Sequence, residues 1–79
     1  MYYIYITKSL KDGSLYKGFT EDLKERLKVH NQGGDDYTSR KRPWKLVWYC
    51  TFNDKKKALA FEKYLKSGSG RAFLKRHLL

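Results

Sequence analysis

The chain holds one cysteine, Cys50, one proline, Pro43, and two histidines, His30 and His77, within 79 residues. So sparse a set excludes a disulfide framework and a Cys/His zinc site, each of which needs several ligands at set spacings. Stability must therefore come from ordinary packing. No apolar run approaches the roughly 18–20 residues of a membrane span. The opening stretch from Met1 to Lys8 lacks the basic-then-apolar layout of a secretory signal, so a cytoplasmic location and no membrane partner are expected. Repeats and low-complexity segments are missing too, and a single domain over residues 1–79 is the expected organisation. Acids are the scarcest charged class: eight Asp and Glu stand against eighteen Lys and Arg.

What remains is a net charge of +10 and a sequence pI near 9.8, well beyond what solubility requires. The excess is concentrated in residues 41–79, which hold eleven of the bases and two of the acids. Hydrophobic residues reach 41% and aromatics 16%, too apolar for a disordered basic tail. A compact basic domain with a polyanionic partner is the reading that follows.

Tyr2 to Thr7 is an unbroken aromatic and β-branched run, and Leu15 to Thr20 is a second; a turn near Asp12-Gly13 between them predicts an antiparallel hairpin. Alternation puts Tyr3 and Tyr5 on one face and Ile4 and Ile6 on the other, groups Tyr16 with Gly18, and turns Lys17 away from Tyr16. A helix over residues 21–31 is expected next, with Thr20 as N-cap, Leu23 and Leu27 as its buried stripe, and Asn31-Gln32-Gly33-Gly34 as its stop. Residues 33–45 read as a polar loop, and residues 46–52 as a third strand. Asp54 then caps a helix from Lys55 to about Ser67, and Gly68-Ser69-Gly70 breaks it before a last helix from Arg71 to Leu78. The fold class is α+β, in the order ββα, βα, α, with a small three-stranded antiparallel sheet.

Several side chains stand out. On a helical wheel Ala58, Leu59, Phe61 and Leu65 form the buried stripe of the second helix, and Glu62 falls inside it. A carboxylate on a core face calls for a cation, which can be a neighbouring base or a metal. Arg26 and His30 stand one turn apart on one helix face, where they can grip a phosphate together; the plainer alternatives are an Asp22–Arg26 pair and a histidine beside the helix C-terminal dipole. Tyr5 and Tyr16 lie on adjacent strands, and a role in proton transfer requires their phenol pKa to fall from about 10. Lys41, Arg42, Lys45 and Lys55 to Lys57, interleaved with Trp44 and Trp48, are the densest basic stretch and suit phosphate tracking. Trp48, mid-strand, is expected in the core, and Trp44 is equally open to stacking on a base.

Together, Tyr3-Ile4-Tyr5, Tyr16-Lys17-Gly18, Arg26, His30 and Glu62 resemble the GIY-YIG nuclease family in order and spacing over nearly the whole chain. The small stand-alone members are most similar, through Tyr37-Thr38-Ser39-Arg40 before Pro43-Trp44 and Glu62-Lys63-Tyr64-Leu65-Lys66-Ser67-Gly68-Ser69-Gly70-Arg71. The resemblance implies a DNA endonuclease, acting in processes such as repair or recombination, that hydrolyses phosphodiesters with one Mg²⁺ or Mn²⁺. In that reading Tyr5 and Tyr16 are the two signature tyrosines, one of which takes the proton from the attacking water or helps place it, Arg26 neutralises the transition state, His30 assists proton transfer or phosphate positioning, and Glu62 holds the metal. Gly18 lets the backbone approach substrate, and Lys17, Arg40, Lys41, Arg42, Lys45 and Arg71 contact nucleic acid. Tyr3 and Lys17 replace the glycine and isoleucine of the two signatures, and Ser67 or Ser69 stands in for a late Asn. The alternatives are a basic nucleic-acid-binding module that keeps the fold without hydrolysis, and a protein-interaction domain built on the aromatic surface.

Overall fold

The computed structural model describes residues 1–33 and 36–77. Three strands, β1 (Tyr2–Ser9), β2 (Leu15–Thr20) and β3 (Trp44–Phe52), form one antiparallel sheet in the order β2-β1-β3. The helices are α1 (Leu23–Gln32), the single turn α2 (Asp36–Ser39), α3 (Lys55–Leu65) and α4 (Gly68–His77). This is the α+β order expected from the sequence.

The central strand explains the layering. Ile4, Tyr5, Ile6 and Thr7 are all fully buried, because β1 is covered on both faces. Ile4 and Ile6 join Ala58 and Leu65 of α3 and Leu74 of α4 in the apolar core, with Trp48 and Phe61 packed around them. Burial of an aliphatic side chain of that size stabilises a fold by roughly 1.5–3 kcal/mol. Tyr5 faces the other way, toward His30 and Arg26 of α1. Leu59, expected in the buried stripe of α3, is 40% exposed, since the stripe is narrower than the wheel implies.

A register shift between Ile6 and Thr7 pairs Ile6 with Trp48 but Thr7 with Leu46, so β3 carries one extra residue, Val47. Both Val47 and Trp48 consequently pack against the apolar core, while Leu46 and Trp44 fall on the tyrosine side. Strand β3 starts two residues earlier than the sequence indicates, because Trp44 pairs with Ser9 and Lys45 with Lys8. Within the stretch expected as loop, α2 adds a helical turn.

Helix ends depart from expectation in instructive ways. The N-cap of α1 is Asp22, whose carboxylate accepts from the Glu25 amide at 3.1 Å; the Thr20 hydroxyl instead accepts from the Asp22 amide and shapes the approach. The helix ends at Gly33, whose φ of 81° sends its N–H back to the Val29 carbonyl. Asp54 caps α3 as expected, accepting from the Lys56 amide at 2.8 Å. Between α3 and α4 the break falls at Lys66 and Ser67, not at the glycines. Gly68, Ser69 and Gly70 open α4, and any Cβ on Gly70 would collide with the Tyr64 carbonyl. Gly34 of the expected helix stop and Leu78 of the last helix lie outside the described residues.

Asp22→Ala is expected to cost about 1 kcal/mol in urea unfolding and Thr20→Val clearly less, because only the former removes the cap.

Candidate active site

One face of the sheet gathers five of the residues singled out above. Tyr5, at the centre of β1, is fully buried, and its hydroxyl lies 2.7 Å from His30 Nε2. The Arg26 Nε–H donates to the same hydroxyl at 3.4 Å, and Tyr16 also bears on the guanidinium. Arg26 and His30 thus share a helix face, as their spacing requires, and both point at β1. No Asp22–Arg26 pair forms, because Asp22 is spent on the helix cap.

Arg26 Nε carries one hydrogen and can only donate, so the phenol oxygen accepts from it. His30 Nε2 is the partner within reach for the phenol's own hydrogen in this sealed site, and donation from Tyr5 to His30 leaves both roles of the hydroxyl filled. Burial pushes the Tyr5 phenol up to about 12, with the Arg26 hydrogen bond and charge pulling the other way and Tyr16 and Glu62 adding to the rise. Tyr5 is therefore a phenol held protonated, the reverse of the lowered pKa that a proton-accepting role requires. The hydrogen bond with Tyr5 also holds the Arg26 guanidinium above its ordinary range, against a smaller cost of burial.

Aromatic walls close the cluster. Tyr16, half-buried on β2, meets the His30 ring edge-on at 4.7 Å between centroids, and Trp44 packs against both at 6.1 and 6.3 Å. Trp44 is 5% exposed and donates its indole N–H to the Thr38 carbonyl at 2.8 Å, so it is a wall of the site and not a stacking surface. The residue that sequence reasoning missed is Asn31. Its side chain accepts from the Trp44 amide at 2.6 Å and donates to the Trp44 carbonyl at 3.2 Å, clasping the end of α1 to the start of β3. Only its place next to His30 hints at this in the sequence.

Gly18 is buried, and a Cβ there would collide with the Tyr5 ring. The space left by glycine is taken by Tyr5, so its close approach is to a phenol within the fold and not to substrate. Glu62 is half-buried on α3, with Oε2 3.4 Å from Lys66 Nζ. That lysine side chain is 54% exposed, and an i,i+4 pair of this kind contributes a few tenths of a kcal/mol, so the carboxylate is only lightly held. Among the described residues no three His, Cys, Asp or Glu side chains gather into a metal cluster. A single lightly paired carboxylate fits a hydrated divalent cation such as Mg²⁺, which keeps most of its waters.

The basic residues do not form one patch. Lys41 is paired with Asp12 at 3.3 Å and donates to Ser14 at 3.0 Å, which fastens the β1–β2 turn. The Arg42 guanidinium lies against Gly33, and the Arg40 carbonyl accepts from Lys11 Nζ. Lys17 and Arg71 meet on the opposite side of the sheet, beside Lys66. Lys45 lies across from Lys8. Ser67 is occupied in the α3–α4 turn, donating to the Tyr64 carbonyl and accepting from the Gly70 amide.

This small three-stranded α+β domain, with paired phenols, a guanidinium and a histidine on one face, is of the nuclease superfamily, as its family match shows. The chain belongs to the GIY-YIG family: the model of the GIY-YIG catalytic domain matches residues 1–76. Relatives include the UPF0213 protein CPE1444 of Clostridium perfringens, 46% identical over 84% of this chain and 71% of the relative. The UPF0213 protein SSP2268 of Staphylococcus saprophyticus is 44% identical over 94% of this chain and 90% of its own. The solution structure of the UPF0213 protein BH0048 from Bacillus halodurans superposes with a TM-score of 0.57 at 36% identity, covering 96% of this chain and 84% of that one. No helix among the described residues is long and apolar enough to cross a membrane.

Two measurements check this geometry. Gly18→Ala forces the Tyr5 ring to move and is expected to destabilise the fold by about 1–3 kcal/mol in denaturant unfolding. For Tyr5, the folded pKa is raised, so its stabilising contribution is complete below pH 10 and is lost as pH rises toward 12. Between these limits stability should fall more steeply with pH in the wild type than in Tyr5→Phe, by up to about 1.4 kcal/mol per pH unit.

Proposed function

We propose that the chain is a divalent-metal-dependent endonuclease that hydrolyses phosphodiester bonds in DNA, in processes such as repair or recombination. The observation that carries this reading is the meeting of Arg26, His30 and Tyr16 around the Tyr5 hydroxyl.

Each residue has a distinct task. Arg26 spends its Nε–H on Tyr5 and still carries terminal N–H groups able to meet the charge that builds on a phosphate in the transition state. Tyr16, half-buried where Tyr5 is sealed, is the phenol placed to touch the attacking water. Tyr5 and His30 stand behind it as a buried donor–acceptor pair that keeps Arg26 and Tyr16 in position. Glu62 would hold Mg²⁺ or Mn²⁺, and a bound cation of this kind polarises the phosphoryl oxygen and stabilises the leaving oxyanion. The net charge of +10 favours association with a polyanion.

The Glu62–Lys66 pair favours one other reading, a nucleic-acid-binding module without hydrolysis. A cleavage assay on supercoiled, branched and single-stranded DNA separates the two. The expected result is cleavage with Mg²⁺ or Mn²⁺ that chelator abolishes, with Arg26→Ala and Glu62→Gln each slowed by roughly 100-fold or more. Folded protein that binds these DNAs and cleaves none, or cleaves equally well in chelator, overturns the metal-dependent reading.

A further inference from the structure

On the side of the sheet away from the tyrosines runs a groove of about 680 Å³. Lys8, Lys17, Arg71 and Lys75 line its sides, contributed by β1, β2 and α4. Its floor is apolar, made by Leu15, Val47 and Leu74. Among the described residues no carboxylate lines it.

The fold holds these cations together against their repulsion. Lys8 stands directly across from Lys45 in the β1–β3 ladder, an arrangement of like charges that destabilises a sheet. On β2, burial pushes the Lys17 ammonium below the ordinary lysine range, and the neighbouring Arg71 and Lys66 push it further. A bound polyanion relieves this repulsion, and an apolar floor between cations offers sugars and bases a place to rest.

The groove and the candidate active site share one strand. On β2, Tyr16 and Gly18 face the tyrosine side and Lys17, between them, faces the groove. Successive side chains of a strand point to opposite faces, so the two sites stand back to back across β2. Strand β2 is at the edge of the sheet. Lys66, which bears on Lys17, is also the lysine that pairs with Glu62.

We infer that this groove takes the sugar-phosphate backbone of the strand being cleaved, carrying it across the open edge of β2 from Arg26 and Tyr16 to Lys17, Lys8, Arg71 and Lys75. The inference rests on the nuclease reading. Contacts of this kind position a strand without reading its sequence.

The test uses the double variant Lys8→Gln/Lys75→Gln, two exposed positions outside the tyrosine cluster, with Lys24→Gln/Lys28→Gln on α1 as a charge-matched control. Binding to a short labelled duplex and to its single strand is measured by fluorescence anisotropy in EDTA across a KCl series. The groove variant is expected to lower the slope of log affinity against log salt by about 1.8 on duplex or about 1.4 on single strand. In Mg²⁺ it should raise KM and leave kcat unchanged. An unchanged slope in folded groove variant, or an equal drop in the control, overturns the inference. Should the wild type cleave in a Glu62-dependent way while the groove variant behaves like wild type, the groove fails and the nuclease reading stands. Groove-dependent binding without any cleavage sinks the nuclease reading and leaves a backbone-binding groove.

Discussion

Everything on the tyrosine side of the sheet is arranged around one buried hydroxyl. Tyr5 comes from the middle of the central strand, has no exposure, and makes its hydrogen bonds to two residues one helical turn apart on α1. An unpaired hydroxyl in that position would cost roughly 1–3 kcal/mol, so the pairing sets the rotation and depth of α1 against the sheet. Gly18 leaves room for the ring, and Asn31 and Trp44 close the far end by tying α1 to β3. Arg26 is held in place before any substrate arrives, which is what electrostatic stabilisation of a developing charge requires.

The two faces of the sheet carry different loads. One is a polar, aromatic pocket whose hydrogen bonds are made internally; the other is the apolar core of Ile4, Ile6, Ala58, Leu65 and Leu74, rimmed at the β2 end by unmatched cations. Glu62 on α3 belongs to the core side by its helix, yet its charge bears on the Tyr5 phenol from across the sheet. Small residues make these approaches possible: Gly18 under the Tyr5 ring, and Gly70 against the Tyr64 carbonyl, which lets α4 fold back tightly on α3.

Most of this was legible where local rules decide. The hairpin, the Asp54 cap, the Gly33 stop and the opposite facing of Tyr5 and Ile4 follow from turn chemistry, capping and the period of two. The start of β3 was not, because Trp44 and Lys45 follow a proline and are recruited into the strand by pairing with Ser9 and Lys8, a contact between distant segments. The Asn31 clasp is likewise tertiary and leaves no periodic trace. Val47, inserted by the register shift, changes which later residues face the core, and no alternation pattern announces it. For the site, helix spacing correctly paired Arg26 with His30, but burial decided the chemistry: Tyr5 is sealed and protonated, and Lys41 is spent on Asp12. Exposure and partnership are properties of the assembled chain.

The direction of the hydrogen bond between Tyr5 and His30 decides which group donates at the heart of the site. Long-range ¹H–¹⁵N correlation of the His30 ring near pH 8 reads it directly. The expected result is a neutral imidazole with its proton on Nδ1 and Nε2 accepting from a slowly exchanging Tyr5 hydroxyl proton. A proton found on Nε2 would contradict it, because the phenol would then be an acceptor from both sides and the arrangement of Arg26, Tyr5 and His30 would have to be redrawn.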